Sequence, residues 1–216
     1  MNLPREHWAF YKLSKFETFD VRFPTSDFAH GSDAVHVEPD YSAAYIIITF
    51  TNNEKKSIEG HGMTFSLGRG NEILIKCIES LMDLIKNMSL DEIWKDMKKF
   101  INRLNEDSQM RWLGPNKGVL HMSSGAIINS IFDIISWCYN KPLWKLIIDM
   151  DINELISMLN FQYMHIYKDN NEEEEEDIKK VIYNILNDDK ENKLKREKEL
   201  YKEGFPLYTT AAGWIG

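Results

Sequence analysis

At 216 residues the chain has room for one domain of ordinary size plus an appendage. Hydrophobic residues at 43% and charged residues at 28% are values of a globular protein able to bury a core. The formal net charge of −8 argues against a nucleic-acid partner, whose phosphates need a cationic face, and disfavours docking on anionic lipid. Much of the excess acid stands in one run, residues 172–177, so the rest is nearer neutral.

The first residues lack the apolar stretch of a secretory signal, and Glu6 weighs against a mitochondrial transit peptide. The compartment read from this is the cytoplasm, with the mitochondrion as the alternative. Residues 16–23 (FETFDVRF) alternate with period two and predict a strand. Residues 24–40 are rich in Pro, Gly, Ser, Asp and His and predict a loop. Residues 43–51 are β-branched and aromatic, a buried strand. Residues 52–56 turn it and 58–65 return as a third, giving a three-stranded antiparallel meander.

Helical spacing follows. Leu74, Cys77, Ile78, Leu81, Met82 and Ile85 make one stripe. Ser89 and Glu92 form a capping box, and the stripe from Leu90 to Leu104 predicts one continuous helix behind it. Residues 119–138 are apolar almost all round, a central buried helix. His121, Asn129 and Asp133 interrupt this stretch, and no apolar run is expected to approach membrane-spanning length. A short helical piece begins at Pro142. The fold class is α+β, a meander followed by a helical bundle ending near Met150. Beyond it, residues 156–167 are ambiguous between strand and helix. Residues 178–201 are charged and helical with Gly204 as the stop, and 205–210 read as a short strand. Cys77 and Cys138 sit on apolar faces as small hydrophobes, which fits a reducing compartment without disulfides.

Five stretches resemble the L-fuconate dehydratase branch of the enolase superfamily, in the mandelate racemase/muconate lactonizing subgroup. They are residues 20–26 leading through 31–36 to 39–45 (HGSDAVHVEPDYSAAY spans most of this); 60–68 (GHGMTFSLG); 111–119; 141–151; and 208–216. The similarity runs in order from about Phe16 to the last residue. Asp133, Pro142 and Leu146 match a pattern general to the superfamily. The sequence departs from the family where Trp137 to Tyr139 replace a small residue and a Lys, where Asn160 replaces an Asp, and in the acidity of 172–176.

The resemblance implies an N-terminal capping domain over residues 16–150. Residues 151–216 would be a charged helical linker and the first strand of a TIM-type barrel. It implies a hydro-lyase of carbohydrate-acid catabolism, converting L-fuconate to 2-keto-3-deoxy-L-fuconate by α-proton abstraction and β-elimination of water. In the family a magnesium ion, held by carboxylates on three barrel strands, stabilises the ene-diolate. A (β/α)₈ barrel takes ~250 residues, and the base and metal ligands would lie beyond Gly216. No catalytic residue and no metal ligand is therefore named, and the chain alone is expected to be inactive. What the chain offers by resemblance is substrate selection. Gly31, Ser32, Asp33 and Tyr41 are expected to contact the sugar acid, with Thr209, Thr210 and Trp214 as weaker candidates. Other readings stay open: dehydration of another sugar acid, a non-catalytic cap acting as an interaction module, and a homo-oligomer.

Plainer roles compete at each residue. His30, His36 and His61 could gather a metal but are more often solvated loop histidines. Asp33 could fold its own loop as an Asx turn. Tyr41 could be ordinary packing. The glycines of Gly60-His61-Gly62 and Gly68-Arg69-Gly70 lack phosphate-loop spacing and predict turns. The run 172–176 lacks EF-hand spacing. Trp94, Phe100 and Trp112 predict core.

Overall fold

The computed structural model describes residues 3–114, 118–161, 164, 167–168, 171–172, 175–188 and 190–207. The chain divides into a first unit, Met1–Leu146, and a second that begins at Ile147.

The first unit opens with a 3-10 turn at Arg5–Phe10 and then the meander: β1 (Lys12–Arg22), β2 (Ser42–Thr51) and β3 (Ser57–Ser66), in the order β1-β2-β3 and antiparallel throughout. Phe19 pairs with Tyr45 and Tyr45 with Met63, which fixes the register. β1 starts four residues before the expected strand, across an irregularity between Leu13 and Lys15. Its polar beginning hides the alternation. Ser14 Oγ donates to the Thr49 carbonyl there at 3.0 Å. At the β2–β3 turn Asn52 Oδ1 accepts the Glu54 and Lys56 amides (3.0 and 2.9 Å), a side chain standing in for backbone.

On β2 the side chains of Ala44, Ile46, Ile48 and Phe50 share one face and are fully buried. Against that face lie α1 (Asn71–Met82) and the 21-residue α4 (Val119–Tyr139). Full burial of each Ile or Phe contributes roughly 1.5–3 kcal/mol, so this face and the facing side of α4 make the main core. Gly60 and Gly62 are buried within β3, not in a turn as expected. A Cβ on Gly62 would stand 1.9 Å from the Ala126 carbonyl oxygen, so α4 rests directly on the strand backbone. Gly68 and Gly70, with φ of 109° and 91°, do make a turn.

α2 (Leu90–Lys95) starts with the expected capping box. Ser89 Oγ accepts the Glu92 amide, and Glu92 Oε2 accepts the Ser89 amide at 2.6 Å. The Ser89 amide first, and then the Ser89 hydroxyl, which also donates to Oε2, hold the Glu92 carboxyl below its usual range. Ser89→Ala is expected to cost about 1 kcal/mol, read as a lower denaturation midpoint. The continuous helix expected to Leu104 is broken. Asp96 leaves helical geometry (φ −140°) and its carboxylate accepts the Lys99 amide, capping α3 (Met97–Asn105) as a separate element. The apolar spacing runs unbroken across this joint, so periodicity alone cannot reveal it.

Trp8 packs edge-on against Trp94 and Tyr139, with centroids 6.1 and 5.6 Å away. Trp94 and Phe100 are core as expected, but Trp112 is 80% exposed, in a 3-10 turn over Arg111–Leu113. The expectation about membrane length is also corrected. By length and composition α4 is long and apolar enough to cross a membrane, as the core helix of a globular unit can also be. Here half of its most apolar stretch is buried, against the sheet and α1. Both cysteines are unpaired and buried, and burial pushes the Cys138 thiol up to about 11.

α5 (Leu143–Asp149) follows Pro142. In the second unit Asp151 caps α6 (Ile152–Met158), its carboxylate accepting the Asn153 and Glu154 amides. A two-residue ribbon pairs β4 (Tyr167–Lys168) with β5 (Asn171–Glu172). Then come α7 (Glu175–Asp188) and α8 (Lys190–Glu203), closed by Gly204 at φ 74°. Ile156, Phe161 and Ile178 form a small separate core. Residues 205–207 are not strand; 208–210 lie outside the described residues.

Candidate functional site

The loop between β1 and β2 carries all four residues expected to touch substrate. Its two legs are joined at the root. Thr25 Oγ1 donates to the Pro39 carbonyl (2.6 Å) and accepts the Tyr41 amide (3.0 Å). The amide and hydroxyl of Ser26 both donate to Asp40 Oδ1 (3.2 and 2.6 Å). The Ser26 bonds hold the Asp40 carboxyl below the usual range. Above this root the chain passes through left-handed backbone at Ala29 (φ 54°) and Gly31 (φ 72°).

Tyr41 lies across the loop, and its hydroxyl donates to the Gly31 carbonyl at 2.8 Å. Its ring sits 5.3 Å from that of Phe65 on β3. A Cβ on Gly31 would come within 2.3 Å of the Tyr41 ring, so this position needs glycine both for φ and for space. Ser32 is 1% exposed, and its Oγ has no hydrogen-bond partner among the described residues. Asp33 Oδ1 accepts the Val35 and His36 amides (2.8 and 2.6 Å), while Oδ2 meets, among the described residues, only the His36 ring, at 3.4 Å. The Asp33 carboxyl is held low, first by the His36 amide and then by that of Val35. The four residues thus divide by chemistry. Gly31 and Tyr41 close on each other, whereas Ser32 Oγ and Asp33 Oδ2 keep hydrogen-bonding capacity. Thr209, Thr210 and Trp214 lie outside the described residues.

The linkage sign follows from the depressed values. The stabilisation from Asp33 and Asp40 is fully present above their unfolded pKa of about 3.9 and is lost as pH falls through their lower folded values. In an NMR titration the Val35, His36 and Ser26 amides should therefore shift with midpoints below about 3.9. Asp33→Asn should remove the transition at Val35 and His36 only.

Beside the loop root is an open recess of about 460 Å³ lined by Arg22, Phe23, Pro24, Asp40, Gly68 and Arg69. Arg22 ties its walls together: it donates to both Asp20 oxygens, to Glu72, and to the Gly68 carbonyl. Arg69 is exposed between the two positive-φ glycines and makes no hydrogen bond among the described residues. Neither arginine stands out by pattern; the glycines flanking Arg69 are the only local signal.

Among the described residues no three His, Cys, Asp or Glu come together in a way that could hold a metal. The expected histidine alternatives separate: His30 packs on Phe28, His36 meets Asp33, and His61 Nδ1 lies 2.8 Å from the Tyr45 hydroxyl. The described residues therefore form no carboxylate set that would hold the magnesium implied by resemblance.

No family model matches the chain. It is 39% identical over 205 residues to mitochondrial enolase superfamily member 1 of Bos taurus, covering 95% of this chain and 44% of that protein. It is 38% identical over 205 residues to L-galactonate dehydratase of Hypocrea jecorina, covering 94% of this chain and 43% of that one. The crystal structure of human mitochondrial enolase superfamily member 1 superposes with a TM-score of 0.83 at 36% identity, covering 96% of this chain and 45% of that chain. The chain thus spans less than half the length of the relatives it matches. It has the fold of the enolase-superfamily N-terminal capping domain and matches the N-terminal portion of proteins in that superfamily.

Proposed function

We propose that this chain is the capping, substrate-selecting part of a magnesium-dependent sugar-acid dehydratase. Residues 16–150 form the cap, and 151–216 lead from it toward a barrel. The reading is supported above all by 38% identity to L-galactonate dehydratase over 94% of the chain. L-Fuconate, the substrate suggested by the sequence resemblance, is L-galactonate without its C6 hydroxyl. The two proposals share one configuration and differ by a single hydroxyl group. A site that hydrogen-bonds that hydroxyl rejects the deoxy acid strongly, while an apolar one discriminates weakly. Ser32 Oγ and Asp33 Oδ2 are the groups proposed to make this choice; the Gly31–Tyr41 pair holds them in place and helps exclude water. The proton transfer and loss of water are assigned to the barrel portion of the relatives. The compartment is proposed to be cytoplasmic or mitochondrial.

The test is a chimera in which this chain replaces the matched residues of the Hypocrea jecorina enzyme. It is expected to dehydrate L-fuconate or L-galactonate, and Asp33→Ala should lower kcat/KM by about tenfold, as loss of one charged hydrogen bond does. A folded chimera inactive on both acids, or turnover by the isolated chain with magnesium, would overturn the reading.

One observation favours a second reading, a non-catalytic interaction module. Phe19, Met63 and Phe65 are 44 to 50% exposed on the sheet face opposite the helices. Such a face marks a contact surface. This reading predicts concentration-dependent self-association in sedimentation velocity, suppressed by Phe65→Ser. A monomer at all concentrations counts against it.

A further inference from the structure

The exposed side of α4 carries a second recess, and we propose that it binds a neutral, hydroxylated small molecule of the pyranose class. The recess holds about 560 Å³ and runs from His61 on β3 along Asn129, Asp133, Ser136 and Trp137 to Lys141. Four features argue for a ligand of that chemistry.

The first is the indole of Trp137, which is 60% exposed beside the recess. A large apolar ring left in water at a concave site offers a flat platform, and the C–H faces of a sugar ring stack on such surfaces.

The second is unused polar capacity. Ser136 Oγ is buried and has no hydrogen-bond partner among the described residues, a state that costs free energy unless something satisfies it. The side chain of Asn129, exposed one turn before Asp133, makes no hydrogen bond among the described residues. Asp133 uses Oδ2 to accept the His61 amide at 2.9 Å and keeps Oδ1. A carboxylate and a carboxamide four residues apart on a helix face one way. Together they can accept from and donate to neighbouring hydroxyls.

The third is rigidity. Asp133 is held by the β3 backbone, and the His61 ring by the Tyr45 hydroxyl at 2.8 Å. The far wall is the helix end, where Asn140 turns left-handed (φ 52°) and the Asn140 and Lys141 amides donate to the Trp137 and Ser136 carbonyls.

The fourth is charge. Asp133 and Lys141 line the same recess. With both signs of charge in one recess, neither a simple anion nor a simple cation meets a field of one matching sign, and a neutral molecule bound by hydrogen bonds and stacking suits it better.

The 216-residue chain would be titrated with methyl α-D-galactopyranoside and methyl α-D-glucopyranoside, neutral sugars whose rings cannot open. Saturation-transfer NMR and tryptophan fluorescence report the binding. At least one should bind saturably, with a dissociation constant in the millimolar range that an open, small site supports. Trp137→Ala and Asn129→Ala should each weaken binding at least tenfold. Both residues are exposed, so these variants should keep the parent's denaturation midpoint, and Asp33→Ala in the β1–β2 loop should bind normally. Saturable binding of tetramethylammonium with none of either glycoside would mean a cation site and overturn the proposal. So would no saturable binding of either glycoside, or binding that Trp137→Ala leaves unchanged.

Discussion

Gly62→Ala should destabilise the first unit by more than about 3 kcal/mol, a large share of the 5–15 kcal/mol by which domains of this size are stable. The added Cβ would lie 1.9 Å from the Ala126 carbonyl oxygen and 2.8 Å from the Ser130 nitrogen. Both are backbone atoms of a helix, so no rotamer change relieves the clash; α4 must lift off β3. Lifting it would also open the contact between α4 and the buried face of β2. Gly60→Ala meets the Ser130 carbonyl at 2.1 Å and should behave alike. Gly125 supplies the control. It lies inside α4 with nothing within 4 Å of its would-be Cβ. Gly125→Ala should stabilise by about 0.5–1 kcal/mol, because alanine loses less backbone freedom in a helix. Urea denaturation of the three variants should place Gly125→Ala above the parent and the two strand variants far below it. A Gly62→Ala midpoint near the parent's would mean that the helix does not sit on the strand as described.

Gly31→Ala should disable the loop while sparing the rest of the fold. Alanine at φ 72° carries the left-handed penalty, roughly 1–2 kcal/mol, and its Cβ would overlap the Tyr41 ring. The ring cannot swing away without losing its bond to the Gly31 carbonyl and its packing on Phe65. Ser32 and Asp33 would be displaced with it. In the chimera, a shift of about 1 Å in groups that position substrate can lower kcat/KM by about 100-fold. Tyr41→Phe, which removes only the hydroxyl, should cost about 1 kcal/mol locally and a smaller part of the activity. Circular dichroism should be unchanged in both. If Gly31→Ala keeps full kcat/KM, the loop does not position substrate.

Much of the architecture is legible in the sequence because burial imposes periodicity. Ile46, Ile48 and Phe50 alternate since one face of β2 is core, and Leu74, Ile78 and Leu81 repeat at helical spacing for the same reason. The capping box at Ser89 is legible because both partners are local. Features that depend on distant residues are not. Asp96 interrupts a helix whose apolar stripe continues past it. Gly60 and Gly62 look like turn residues until α4 is laid over them. Trp112 has the composition of core but sits on a short surface turn. In the loop, the pattern shows that Asp33 can bond its own backbone, and it does. It cannot show that Tyr41, ten residues from Gly31, reaches back to it, or that Ser32 Oγ is left without a partner among the described residues.

The knot among Thr25, Ser26, Pro39, Asp40 and Tyr41 separates the fate of the loop tip from that of the sheet. Residues 34–38 hang from a root already fastened on both sides, so they can be exchanged, lengthened or shortened while β1 and β2 stay in register. On the role proposed for this loop, substitutions at its outermost positions would alter the surroundings of Ser32 and Asp33 without unfastening the strands beneath.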